Sequence, residues 1–474
     1  MLFSSLVFLF MFFPIVISLY YLAKDNLKNY ILLAASIIFY AWGEPVYVWL
    51  MILAIIINYI FGFWVDINRI KNEKKRKLNL IICIIINISI LFIFKYYMFV
   101  VENVNLLFNK NIKIIQIALP LGISFYTFQA LSYVIDVYRG EVKLQKNILN
   151  LGLYISLFPQ LVAGPIVRYE TIENEICSRV HSSEKFANGV RRFVIGLGKK
   201  IIISNQVALV ADNLFALQTN ELSVATTWLA IIAYTLQIFF DFSGYSDMAI
   251  GLGKMFGFEF LENFNYPYIA ESITEFWRRW HISLGTWFRD YVYIPLGGNR
   301  CSNIKNLRNI LIVWLLTGFW HGASWTFIAW GVYYGILLIS EKKILNKYLK
   351  KLWRPLRHLY VVMFVMIGWI FFRADNFSYS VEFIKNMFML NGVSLIDNNF
   401  IIYLRDYWYI FILGILFSTP IFNTMFKFLN NKCQNISNNK IIWILESFMY
   451  CSIFCIVIMH LMSSSYNPFI YFRF

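Results

Sequence analysis

The sequence predicts an all-α, polytopic membrane protein. Three observations carry this. Of its 474 residues, 59% are hydrophobic and only 14% charged, whereas soluble domains carry about a quarter charged. Long apolar runs recur from one end to the other. Basic residues gather in the stretches between those runs. Hydrocarbon offers no partner for backbone N–H and C=O groups, so runs of this length must be helices.

The runs fall at 2–22, 29–42, 46–65, 79–100, 115–136, 147–167, 190–212, 222–253, 307–340, 358–372, 403–427 and 441–462. About 11 of them are expected to span, on the criterion of roughly 20 apolar residues per crossing. The run 29–42 is short, while 222–253 and 307–340 are long enough to tilt, break or contain two pieces. Met1 to Leu22 lacks a basic leader and a small-residue cleavage site, and so reads as a retained span. No repeat or soluble domain is visible, and residues 1–474 read as one integral-membrane domain, with 268–340 as its functional region.

The net charge of +16 is topological. Residues 69–78 and the set Lys342, Lys343, Lys347, Lys350, Lys351, Arg354 and Arg357 form two basic clusters. Both are expected on the cytoplasmic side. Counting spans outward from them places both termini outside. The expected partner is therefore membrane lipid, and nucleic acid is not expected. Six cysteines are scattered. Cys451 and Cys455 share a helix face, but no histidine or acid accompanies them at ligand spacing, so no metal site is expected.

Between the long runs, Ser272-Ile-Thr-Glu275 has the form of a capping box. The helix that follows should place Trp277, Trp280, His281, Leu284, Trp287, Phe288 and Tyr291 on one broad aromatic face, with Arg278, Arg279, Arg289 and Asp290 mostly elsewhere. Pro295-Leu-Gly-Gly-Asn299 ends it. Such a helix lies at the interface or dips into a funnel.

His321 reads as the middle of a span, Asn309 to Trp325. A titratable ring at that depth is costly, and such groups usually face a cavity and do chemistry. Burial favours the neutral imidazole, which can take a proton from an attacking hydroxyl. Gly318 and Gly322 flank it and admit close approach, with Trp320 and Trp325 as an apolar wall. The competing reading is a packed histidine bonded to a neighbouring helix. His281, alone on an amphipathic face, could bridge to headgroups, but its distance in sequence from His321 allows both to face one cavity. Asp241, in Phe239-Phe-Asp241-Phe-Ser-Gly-Tyr-Ser-Asp247, needs an intramembrane partner, for which Arg278, Arg279 or Arg289 are the candidates. Ser243, Gly244 and Ser246 could break its helix, and Asp247 is expected near an interface. The turn Phe158-Pro-Gln160-Leu-Val-Ala-Gly164-Pro165-Ile-Val-Arg168 reads as a re-entrant element, with Gln160 and Arg168 lining or bracing a pore.

Phe276-Trp-Arg-Arg-Trp-His281-Ile-Ser-Leu-Gly-Thr-Trp-Phe-Arg-Asp290-Tyr-Val-Tyr-Ile-Pro-Leu-Gly-Gly-Asn-Arg300, followed by Gly318-Phe-Trp-His321-Gly-Ala-Ser-Trp325, closely resembles the membrane-bound O-acyltransferase family. It looks most like the alginate O-acetyltransferase membrane-subunit subgroup, whose relatives act on peptidoglycan, cellulose and teichoic acid. Pro159 to Arg168, Asp241 to Asp247 and Phe371-Phe-Arg-Ala-Asp375 share that resemblance, which covers essentially the whole chain. The resemblance implies a ring of tilted helices around a tunnel, with His321 as catalytic base and His281 as a second functional histidine. It implies no tightly bound cofactor. Acetyl-CoA or an acyl carrier protein would serve as thioester donor from the cytoplasm. The acceptor would be a secreted glycan, commonly reached through an extracytoplasmic SGNH-hydrolase-like partner, at a bacterial plasma membrane. Trp277, Trp280, Trp320, Trp325, Arg289, Asp241 and Gln160 are the expected tunnel or support residues. The alternatives are D-alanyl transfer to teichoic acid, a proton-coupled transporter or flippase, and a scaffold for polysaccharide export.

Overall fold

The computed structural model describes residues 1–422, 424–425, 439–463 and 466–470. The end of the predicted run 403–427 therefore lies partly outside the described residues. All regular structure among the described residues is helical, joined by turns and irregular stretches, with no strand. Among the described residues, seven helices are long and apolar enough to cross a membrane: Val48–Arg69, Glu73–Phe108, Ser183–Phe215, Val224–Met255, Arg354–Arg373, Asn398–Phe417 and Ile444–Ser463. Phe8–Leu22 is apolar but shorter. The chain divides into two compact units: Met1–Phe193 with Met248–Leu261, and Val194–Asp247 with Glu262–Phe474.

In the first unit, Phe8, Phe12, Phe39 and Phe158 pack ring against ring, with centroids 5.5–6.4 Å apart. This cluster seats the Phe158–Arg168 turn, whose first N–H donates to Ser36 Oγ at 3.0 Å. Gly164 is required there, because a Cβ would stand 2.6 Å from the Gln160 Cα. Gln160 is fully buried and its amide donates to the Tyr154 carbonyl. Both partners of that bond lie within this unit.

In the second unit, the predicted run 307–340 is a hairpin of two helices, Asn303–His321 and Trp325–Ser340. Ser324 caps the return helix by accepting from Thr326 N. His321 is thus the last residue of a helix beside the turn, which corrects the mid-span reading. The apolar run could not reveal the break because Gly322-Ala-Ser324 is short and uncharged. The run 222–253, in contrast, is one unbroken helix, Val224–Met255. Gly244 does not break it; a Cβ there would meet the Gly196 carbonyl at 2.8 Å, so the glycine serves close helix contact.

The amphipathic helix expected after Ser272 is two short ones, Ile273–Arg279 and Ile282–Phe288, followed by a wider turn to Tyr293. Ser272 Oγ does accept from Glu275 N at 3.0 Å. The glutamate, however, reaches Glu271 N at 2.9 Å rather than the serine's own N–H. The second anion at this helix start is the buried Glu341. It accepts from Ile273 N at 2.6 Å and Thr274 N at 2.8 Å. A carboxylate on the positive end of a helix is favourably placed, and this one ties the histidine region to the end of the hairpin.

Candidate active site

The helix break falls at His281, which has φ +45°, a conformation that non-glycine residues rarely adopt. Asn263 holds it there. Its side-chain oxygen accepts from Ser283 N at 3.1 Å and Ser283 Oγ at 2.9 Å, and lies 3.2 Å from His281 Nδ1. An amide oxygen is an acceptor only, so Nδ1 must carry the proton. The basic edge of the ring is then Nε2. Phe242 meets the ring edge-on at 4.8 Å and Trp320 at 6.0 Å.

His321 is 7% exposed. Trp320, Trp330 and Phe372 each stand edge-to-face against it with centroids 5.0 Å away. The ring lines a small chamber of about 10 Å³ with Asp241, Phe242, Trp280, Trp369 and Ile470. A larger polar vestibule of about 180 Å³ is lined by Asp212, Gln237, Ser324, Thr326, Arg373 and Asp375. Phe372 and Ile470 line both spaces, so these two side chains form the partition between them. His281 lines neither. The expectation that both histidines face one cavity gives way to a layered arrangement, with His321 in the chamber and His281 behind Trp320 and Phe242.

The other expected residues separate in the same way. Trp280 lines the chamber. Trp277 lies one layer out, packed on Trp314 at 4.7 Å, Tyr334 at 4.8 Å and Trp330 at 5.5 Å. Trp325 is 59% exposed and lines neither space; it begins the return helix and faces outward. Arg289 pairs with its neighbour Asp290 at 2.6 Å, and Arg279 with Glu275 at 2.8 Å. Asp241 takes none of the expected arginines. Its partner is Lys200, at 2.5 Å, with both side chains 3% exposed. Asp247, expected near an interface, is also buried and pairs with Lys199 at 2.6 Å. Both lysines start a π-helical turn, Lys199–Ser204. The wider turn suits two adjacent cations that must each find an acid on the same facing helix.

Sequence reasoning missed Lys200, Asn263, Trp330, Trp369, Phe372 and Ile470. For Lys200 a signal existed, since two lysines inside the apolar run 190–212 demand buried partners. Asn263 and the aromatic lining carry no local mark.

The chain is also similar to known proteins. The profile of MBOAT, the membrane-bound O-acyltransferase family, matches residues 143–381. A probable alginate O-acetylase of Azotobacter vinelandii is 42% identical over 403 residues, which cover 84% of this chain and 80% of that protein. The peptidoglycan O-acetyltransferase of Helicobacter pylori is 33% identical across 100% of this chain and 98% of its own. The teichoic acid D-alanyltransferase of Bacillus subtilis is 31% identical over 263 residues, covering 53% of this chain and 66% of that protein. A buried histidine at the head of a helix hairpin, within a multi-pass apolar fold and with relatives of this kind, leads to one conclusion: the chain belongs to the membrane-bound O-acyltransferase family.

Proposed function

We propose that this enzyme moves an acetyl group from a cytoplasmic thioester, acetyl-CoA or an acyl carrier protein, to a hydroxyl on the outer side of a bacterial plasma membrane. The hydroxyl belongs to a secreted glycan or to a relay residue on an SGNH-hydrolase-like partner. The observation that carries the reading is His321, a nearly buried imidazole lining a chamber that adjoins a polar vestibule. With the Lys342–Arg357 cluster inside, the Ser324 end of the hairpin and the vestibule face out. Acetyl is favoured over D-alanyl because the O-acetylase relatives match more of the chain at higher identity than the D-alanyltransferases do.

A ring nitrogen of His321 takes the hydroxyl proton as the oxygen attacks the thioester carbonyl. The C–O bond forms and the C–S bond breaks. The imidazolium returns its proton to the departing thiolate, which leaves as thiol. Trp330 lines the same chamber, and its buried indole N–H has no hydrogen-bond acceptor among the described residues. It is assigned to the carbonyl oxygen as it gains charge, where a preorganised donor contributes most. The aromatic walls keep bulk water from the thioester. His281 acts as a positioning residue through Trp320.

The test is transfer of label from radioactive acetyl-CoA to an added glycan by purified protein, without an ion gradient. Wild type should transfer, and His321→Ala should lose on the order of a thousandfold while eluting as a folded protein. Transfer by His321→Ala at the wild-type rate would remove the mechanism.

A further inference from the structure

The chamber has one wall of a different kind. Ile470 belongs to the segment Tyr466–Ile470, which has no regular helix until its last residue. Side chains from elsewhere in the second unit hold it. Tyr466 OH donates to Asp212 Oδ2 at 2.6 Å. Asn205 Nδ2 donates to Asn467 Oδ1 at 3.2 Å. The Lys200 ammonium donates to the Pro468 carbonyl and stands 5.8 Å from the centre of the Phe469 ring. The Ile470 N–H donates to Asp241 Oδ2 at 2.8 Å.

Two of these bonds come from the two halves of one buried ion pair. Lys200 and Asp241 spend one interaction on each other and a further one each on this segment's backbone. A buried pair is costly unless its remaining hydrogen-bonding capacity is met, and here Pro468 and Ile470 help to meet it. Docking of the segment and burial of the pair therefore support each other. The segment is held by these bonds and by the burial of Ile470 and of Phe469, which packs on Tyr245 at 5.0 Å, but it has no helical ladder of its own. Such elements open locally at far lower free energy than the helices around them.

We propose that Tyr466–Ile470 is a lid on the His321 chamber, latched by the Lys200–Asp241 pair, and that its release joins the chamber to the vestibule. In the closed state Ile470 completes the partition with Phe372. An acceptor hydroxyl in the vestibule reaches His321 only when Ile470 moves. The closed lid also keeps water off a waiting thioester. This inference concerns access and holds whatever acyl group is carried.

The test is thiol accessibility, which does not depend on acyl transfer. In a full-length chain with its six cysteines replaced by serine, a single cysteine is placed in the chamber (Ile238→Cys) or in the vestibule (Ser324→Cys). The detergent-solubilised protein is labelled with a charged, water-soluble maleimide. The latch is broken in one variant by Lys200→Met with Asp241→Leu, which leaves no lone buried charge. The partition is removed in another by Ile470→Gly. Both should speed labelling at position 238, the latch variant by at least about tenfold, as expected for loss of charged anchors, and both should leave position 324 unchanged. Unchanged labelling at 238 in both backgrounds overturns the lid. Equal acceleration at 238 and 324 also overturns it, because that pattern reports general loosening.

Discussion

Gly318 and Gly331 cross with no side chain between them. A Cβ on either would stand 3.4 Å from the other's Cα and clash with a backbone carbonyl of the facing helix, Phe327 O in one case and Trp314 O in the other. This crossing sets the hairpin angle, and with it the position of His321 one turn beyond Gly318. Gly331→Leu should therefore cost more than an ordinary overpacked site, for which about 1–3 kcal/mol is typical, because backbone rather than a flexible side chain must yield. Thermal unfolding in detergent measures this. A melting temperature equal to wild type would show that the helices can slide apart freely.

Asn263 Oδ1 serves Ser283 N, Ser283 Oγ and His281 Nδ1 together. Asn263→Ala orphans these buried donors. Each lost partner costs about 1–3 kcal/mol, so the variant should be less stable than His281→Ala, which removes one donor and keeps the acceptor. His281→Ala should slow transfer clearly but less than His321→Ala. A melting temperature for Asn263→Ala above that of His281→Ala would contradict this ordering.

Trp330→Phe keeps an aromatic ring against His321 and deletes one N–H. If that N–H meets the developing oxyanion, kcat should fall about a hundredfold with little change in KM, in the range seen for removal of a single such donor. A change confined to KM would assign the ring to binding alone.

Asp241→Ala leaves Lys200 charged and buried, and should destabilise the protein by about 3–5 kcal/mol. The double change Lys200→Met with Asp241→Leu should recover most of that, since apolar replacements of a buried pair are often neutral. Yield and melting temperature of the two variants decide it. A double variant no more stable than Asp241→Ala would show that the charges themselves are required.

Asp397 gives a pH dependence outside the membrane helices. Burial alone would raise its carboxyl. Hydrogen bonds from Thr226 Oγ1 at 2.5 Å, Phe400 N at 2.8 Å and Ser223 N at 3.1 Å outweigh burial and hold it below the ordinary range. A depressed native pKa stabilises above the unfolded value of about 3.9 and is lost as pH falls through the native value. The melting temperature should therefore drop on acidification below about pH 4, and Asp397→Asn should flatten that drop. An identical acid profile for Asp397→Asn would assign the loss to other groups.

Apolar run length, the basic clusters and the turn residues were enough to establish a helical membrane protein. The two histidine segments named its family. These are local properties: hydrocarbon forces each long run into a helix whatever surrounds it, and Ser272 caps its helix through a bond spanning three residues. Partner choice is not local. Arg278 and Arg279 stand nearer in sequence to Asp241 than Lys200 does, yet helix packing delivered Lys200. His281 and His321 looked like co-tenants of one cavity until the Asn263 contact broke the intervening helix and turned one ring behind Trp320. Ile470 carries no chemical mark at all. Its place in the chamber wall depends on where the folded chain brings its last described residues, a relation between distant segments that only three-dimensional packing decides.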